Sequence, residues 1–188
     1  IEIMCLMILR LPWDQPQTEQ IKRTIWSTLQ DEQRHLKLYQ QRLIELGYGM
    51  GEFPVNDFFW RTFLNVTRLE DYLALMSLTF EAANLDFSAF YATLFESTGD
   101  FLSAQLMQKI YQDEIHHVGV GIKYFEHHYP KDNLWDSYLK YLPYPITPAR
   151  SRGIHYQRSH RNLAGFSQEY ILQLESYQDN FAITERKR

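Results

Sequence analysis

Two five-residue stretches carry the residue types that hold metal ions. Asp31-Glu32-Gln33-Arg34-His35 reads D-E-x-x-H, and Asp113-Glu114-Ile115-His116-His117 repeats it. Residues three apart share one face of a helix, so each stretch aims one carboxylate and one imidazole at a single point. A further glutamate precedes each copy, Glu2 by 30 residues and Glu81 by 33. The candidate metal ligands are therefore Glu2, Glu32, His35, Glu81, Glu114 and His117. Four carboxylates and two imidazoles are enough for two ions, with two glutamates free to bridge them. One Glu on each of two helices and Glu-x-x-His on two others is the donor pattern of di-iron and di-manganese bundles. Oxygen-rich ligation with some imidazole suits iron or manganese better than a thiolate-preferring metal. Zinc usually takes fewer and softer donors and ranks third.

A metal-bound imidazole donates its other N–H to a carboxylate or carbonyl. Asp31 and Asp113 are placed for this task, each serving the histidine of the other motif: Asp31 with His117, Asp113 with His35. Tyr39, Phe80, Tyr111 and Phe125 fall near the site along their helices. Tyr111 is a candidate for passing an electron, although packing is the commoner role of a core aromatic. His116 lies one residue off the ligand face. His127 and His128, at a helix end, read as capping or solvated residues, and Cys5 as a small buried apolar one. The competing reading of the six ligands is a surface or structural polar network. Against it, charged residues are seldom buried unpaired, and each stretch has apolar neighbours on its own face.

The elements that must position these residues read as helices. Ile1–Leu11 is helical up to Pro12, and its abrupt start reads as the second half of a helix in a fragment or trimmed chain. A second helix, Thr18–Leu46, starts at Thr18 as N-cap and stops at Gly47. Gly47–Asn65 is rich in breakers and aromatics. Nineteen extended residues reach roughly 60 Å, more than the roughly 43 Å of the preceding helix. A crossover along the whole bundle therefore fits, and the next helix runs parallel to the last. Val66–Ser97 is the third helical stretch, with a kink or new cap at Asn84 or Asp86. Asp100 caps a fourth helix to about Tyr129. At about 1.5 Å per residue, antiparallel packing brings all four glutamates to one height. This predicts an all-α, ferritin-like four-helix bundle over residues 1–129, its first helix truncated, with a long crossover between helices 2 and 3.

Residues 130–188 read as a C-terminal extension packed on the bundle. It comprises a short helix at Leu134–Leu142, an extended run at Pro143, Pro145 and Pro148, and a helix from Ser167 to Leu174. Its end, Glu185–Arg188, reads as disordered. The basic stretch Arg150–Arg161 either docks on the bundle or receives phosphate or RNA backbone; docking is the expected role.

Composition narrows the class. The 188 residues suffice for one domain with a real core, and the formal net charge of −4 argues against wholesale nucleic-acid or membrane binding. One cysteine allows no internal disulfide and fits a reducing, cytoplasmic setting.

Beyond the metal motif, Leu46-Gly47, Phe53-Pro54-Val55-Asn56, Phe80-Glu81-Ala82, Gly99-Asp100 and Asp113-Glu114-x-x-His117-Val118 resemble an uncharacterised ferritin-like family, domain of unknown function four-five-five. Arg152-Gly153 and Ala164-Gly165-Phe166-Ser167 resemble its C-terminal signature. The resemblance implies a rubrerythrin-type bundle with a carboxylate-bridged dimetal site at the six positions above. It implies no substrate.

The first functional expectation is a di-iron oxidoreductase or hydroxylase using O2 or peroxide, an unknown small-molecule substrate and an electron-donor protein. The second is a ferroxidase or iron-handling protein. The third is a non-catalytic, metal-stabilised interaction module. A homodimer is compatible with each.

Overall fold

The structure is a computed structural model that describes residues 1–12 and 16–179. Among them every regular element is helical and none is a strand. Among the described residues no helix is long and apolar enough to cross a membrane. The expected disorder of Glu185–Arg188 lies outside the described residues.

Helix α1 (Glu2–Arg10) buries Met4 and Met7 and ends where Leu11 turns extended before Pro12. Helix α2 (Pro16–Glu45) begins before the expected cap. Thr18 lies inside its first turn and is buried, so it is no N-cap. Ile21, Ile25 and Leu29 form the buried stripe of α2, and His35 continues it. The helix stops at Gly47 as expected, in left-handed backbone (φ 87°). The Gly47 and Tyr48 N–H groups bond back to the Ile44 and Leu43 carbonyls, each at 2.9 Å, which satisfies two carbonyls that the helix end would otherwise strand.

The third helical stretch differs from the expectation. It comprises α4 (Leu69–Leu75), a π-helical turn (Met76–Glu81) and α5 (Ala82–Ser97). The irregularity falls at the turn that ends on Glu81, and α5 runs unbroken through Asn84 and Asp86. Those two side chains make tertiary bonds instead of competing for the local backbone. Within the π turn, Thr79 Oγ1 donates to Ala74 O at 2.8 Å. Helix α6 (Phe101–His128) crosses here through Gly121, where a Cβ would lie 2.7 Å from Ser77 Cβ. Only a residue without a side chain fits that approach. Asp100 caps α6 as expected, accepting from Ser103 N at 3.0 Å.

Contacts between α2 and α6 fix the topology. Arg42 meets Asp100 and Ser103, Tyr39 meets Met107, His35 meets Asp113 and Asp31 meets His117. One number rises as the other falls, so the two helices are antiparallel. The tight turn at Gly99 makes α5 antiparallel to α6 as well. Helices α2 and α5 therefore run in the same direction, and the link between them must travel back along the molecule. That link holds a short helix the sequence did not suggest, α3 (Phe58–Phe63). Phe58, Phe59 and Phe63 pack on Phe80, with ring centroids 6.1, 4.6 and 5.9 Å away. Arg10 holds the end of the link through the Leu64 and Val66 carbonyls.

The C-terminal segment shares this core. It contains α7 (Leu134–Tyr141), a 3-10 turn (Pro148–Ser151), α8 (Arg158–Ala164) and α9 (Gln168–Ser176). Ser167 caps α9 as expected, accepting from Tyr170 N. Tyr138 OH meets Thr79 in the π turn at 2.8 Å. Asp86 of α5 gathers the segment: it accepts from Gly153 N (2.9 Å) and Gln157 N (3.1 Å) and pairs with Arg161. Both side chains of that ion pair are fully buried. Arg161 also donates to Ser151 O and lies over the Tyr156 ring. Arg158 pairs with Glu175, and Arg152 donates to Tyr177 O. The basic stretch thus docks on the protein itself, and its end lies in α8 (Arg158–Ala164), a helix the sequence did not suggest.

Candidate metal centre

Glu32 and His35 stand on α2 one turn apart, and Glu114 and His117 stand likewise on α6. The antiparallel contact of α2 with α6 turns both pairs into one space. One ligand atom from each of Glu32, Glu114 and His117 lies within 4.8 Å of the other two. His117 Nδ1 is 3.4 Å from Glu114 Oε2 and 3.5 Å from Glu32 Oε1. His35 Nδ1 is 3.3 Å from the same Glu32 oxygen, and the two imidazole centroids are 6.0 Å apart.

The other nitrogen of each ring is already engaged. His35 Nε2 meets Asp113 Oδ2 at 3.0 Å, and His117 Nε2 meets Asp31 Oδ2 at 3.2 Å. These are the crosswise partners expected from the two motifs. Each aspartate orients the ring so that Nδ1 faces the carboxylates. Lys109 pairs with Asp113, and Arg34 with Asp31.

Glu81 enters from the end of the π turn and is buried. Glu81 Oε2, Glu114 Oε2 and His117 Nδ1 are all buried without a hydrogen-bond partner. Unsatisfied buried polar atoms are uncommon, and each calls for a missing partner. The other oxygen of Glu114 accepts from Asn84 Nδ2 at 2.8 Å. Glu114 is therefore fixed through one oxygen and leaves the other facing His117.

The electrostatics also call for positive charge. Burial, with the carboxylates of Glu114 and Glu32 behind it, pushes Glu81 up to about 8 despite the opposing pull of His117. Burial disfavours a charged His117, yet Glu114, Glu81 and Glu32 override it and lift the imidazole to about 9. Glu32 is half-buried, which would raise it, but His35 and then His117 hold it below the usual carboxylate range. Protons thus collect where three carboxylates crowd together, which is where a cation would be held. The donor set fits a metal ion.

Glu2 is not brought into this group. It lies two residues from the buried Met4, or about 200° around α1, and it is exposed. Cys5 is exposed too, contrary to the core role expected of it. Tyr111 does not face the carboxylates: its ring lies edge-on to His160, and its electrostatic neighbours are Asp86 and Arg161. Other tyrosines occupy the position expected of it. Tyr39 is 40% exposed and donates to Met107 Sδ; the partial burial of its hydroxyl, with Glu114 and Glu32 nearby, pushes it up to about 12. Tyr72, missed in the sequence, is buried and raised by that burial and by Glu81 and Glu32. Asn84 was missed as well, although its position three residues after Glu81 signals a shared face. His116 is exposed, off the ligand face as expected, and His128 caps a last-turn carbonyl through Tyr124 O.

The fold and the site together define an all-helical protein with a buried carboxylate–histidine cluster suited to a metal ion. The chain belongs to the family described as "Protein of unknown function (DUF455)", whose sequence model matches residues 1–172. No curated protein and no solved structure matches the chain.

Proposed function

We propose that this is a dimetal-carboxylate protein with a ferritin-like four-helix bundle, and that it acts as an O2- or peroxide-dependent oxidoreductase. The observation that carries the reading is the group of Glu32, Glu114 and His117, whose ligand atoms lie within 4.8 Å of one another, with Glu114 Oε2, His117 Nδ1 and the nearby Glu81 Oε2 buried without a hydrogen-bond partner. Glu32, His35, Glu81, Glu114 and His117 would hold the metals, with Glu2 reaching the site only after a rearrangement of α1. The donor set suits iron or manganese better than zinc, and iron is the metal taken here. Two iron ions bound there would supply the paired electrons that reduction of O2 or peroxide requires.

The chain contributes the rest. Asp31 and Asp113 fix which imidazole nitrogen faces inward. Asn84 locks one oxygen of Glu114, and the Ser77 hydroxyl supports Glu81. Leu29, Leu78 and Ile110 close the surrounding core against water. Tyr39 and Tyr72 stand beside the carboxylates as the side chains best placed to carry an electron.

Loading with Fe(II) without oxygen, followed by admission of O2, tests this. The expected result is O2 consumption in proportion to bound iron, abolished in Glu114→Ala and retained in Glu45→Ala. Consumption that continues without reductant while ferric iron accumulates would favour iron handling instead. Chelation that unfolds the protein, with no O2 uptake by the loaded form, would leave a structural metal site. Anomalous scattering at the iron and manganese edges, from crystals grown without added metal, decides between those ions.

A further inference from the structure

Helices α2 and α6 are bridged directly from Asp31–His117 up to Arg42–Asp100. Below Asp31 they part. A groove of about 710 Å³ opens between Gln20–Ser27 of α2 and His116–His128 of α6, a volume within the range of small-molecule sites. It starts one turn from the Asp31–His117 pair, since Ser27 precedes Asp31 by four residues and Val120 follows His117 by three.

Its walls are unlike the rest of the molecule. On a chain of net charge −4, the groove is lined by Arg23, Lys123, His116, His127 and His128 and, among the described residues, by no carboxylate. Acidic groups stand close by: Glu19 pairs with Arg23, Glu70 accepts from the Tyr124 hydroxyl at 3.2 Å, and Glu126 precedes His127 on α6. Among the described residues no carboxylate pairs with Lys123, His116 or His127. Between these groups lies apolar and aromatic surface from Ile21, Val120 and Tyr124. His128 stacks on Tyr124 at 4.2 Å, which stiffens that wall.

We propose that this groove binds a small organic anion, with an apolar or aromatic body against Tyr124, Ile21 and Val120 and a phosphate or carboxylate held by Lys123 and Arg23. The inference rests on the metal-centre reading for one part only, that the ligand is the substrate class. His116 lines the groove while its neighbour His117 faces the carboxylates, so a molecule bound here lies along the wall of the site.

The test is calorimetric titration of the iron-loaded protein with phenyl phosphate, phenylacetate and benzyl alcohol, with iron content measured on the same samples. The expected result is binding of at least one anion and none of the alcohol; the anion that binds tells phosphate from carboxylate. Arg23→Glu with Lys123→Glu should weaken that binding by about tenfold or more, the scale of a lost charged hydrogen bond, at unchanged iron content. Equal binding of the alcohol, no binding of either anion, or indifference to charge reversal would overturn the proposal. Retention of single-stranded RNA without binding of either small anion would overturn it in favour of a nucleic-acid surface. A sample that binds anion but no iron would sink the metal reading and leave the groove standing.

Discussion

At the scale of single residues, the site is governed by which atom of each side chain is already committed. His35 and His117 commit Nε2 to aspartates from the opposite helix, so Asp31→Asn or Asp113→Asn should lower metal affinity by about 10- to 100-fold. Competition titration against a metal-binding dye measures this, and unchanged affinity in both variants would remove the orienting role. Protonation follows from the same crowding. In the metal-free protein Glu81 keeps its proton to about 8 and His117 to about 9, against ordinary values of 4.5 and 6.5. The folded state then binds more protons than the unfolded state in this range, and stability falls as pH rises. The melting temperature of the chelated protein should therefore drop between pH 6.5 and 9. Metal loading at pH 7 should release protons, seen as a buffer-dependent enthalpy in calorimetry. A flat melting profile would contradict the crowding argument.

At the scale of elements, two close fits hold the site's helices. The Asp86–Arg161 pair is buried on both sides. Arg161→Ala strands the carboxylate and should cost about 3–5 kcal/mol in denaturant unfolding. Gly121→Ala places a Cβ 2.7 Å from Ser77 Cβ; overpacking of about 1–3 kcal/mol should outweigh the gain in helix propensity. Gly119 is the control, because its nearest neighbour would be 3.7 Å away. Gly119→Ala should be neutral or stabilising by up to about 1 kcal/mol. Gly121→Ala as stable as Gly119→Ala would show that the π turn yields freely.

These elements also show what the sequence could and could not convey. The D-E-x-x-H pairs were legible because spacing of three on a helix fixes a shared face whatever the surroundings. Gly47, Asp100 and Ser167 were legible because caps act locally. The π turn was not, since it depends on Gly121 and Tyr138 arriving from elsewhere. Asp86 resembled a local helix breaker for the same reason: its partners Gly153, Gln157 and Arg161 lie far along the chain. Glu2 fitted the repeat of glutamate and motif, but the rotation of α1 is set by Met4 and Met7 seeking the core.

At the scale of the whole molecule, the return link between α2 and α4 allows two copies of one motif, 82 residues apart, to share a single buried space. In that space Asn84 holds Glu114 and Asp31 holds His117, and each leaves an inner atom, Glu114 Oε2 and His117 Nδ1, without a hydrogen-bond partner. The central claim is that those atoms hold two metal ions. Elemental analysis after anaerobic Fe(II) loading and gel filtration measures it directly. The expected result is two iron ions per chain in the native protein and loss of the pair in Glu114→Ala. One ion per chain, or none, would contradict it.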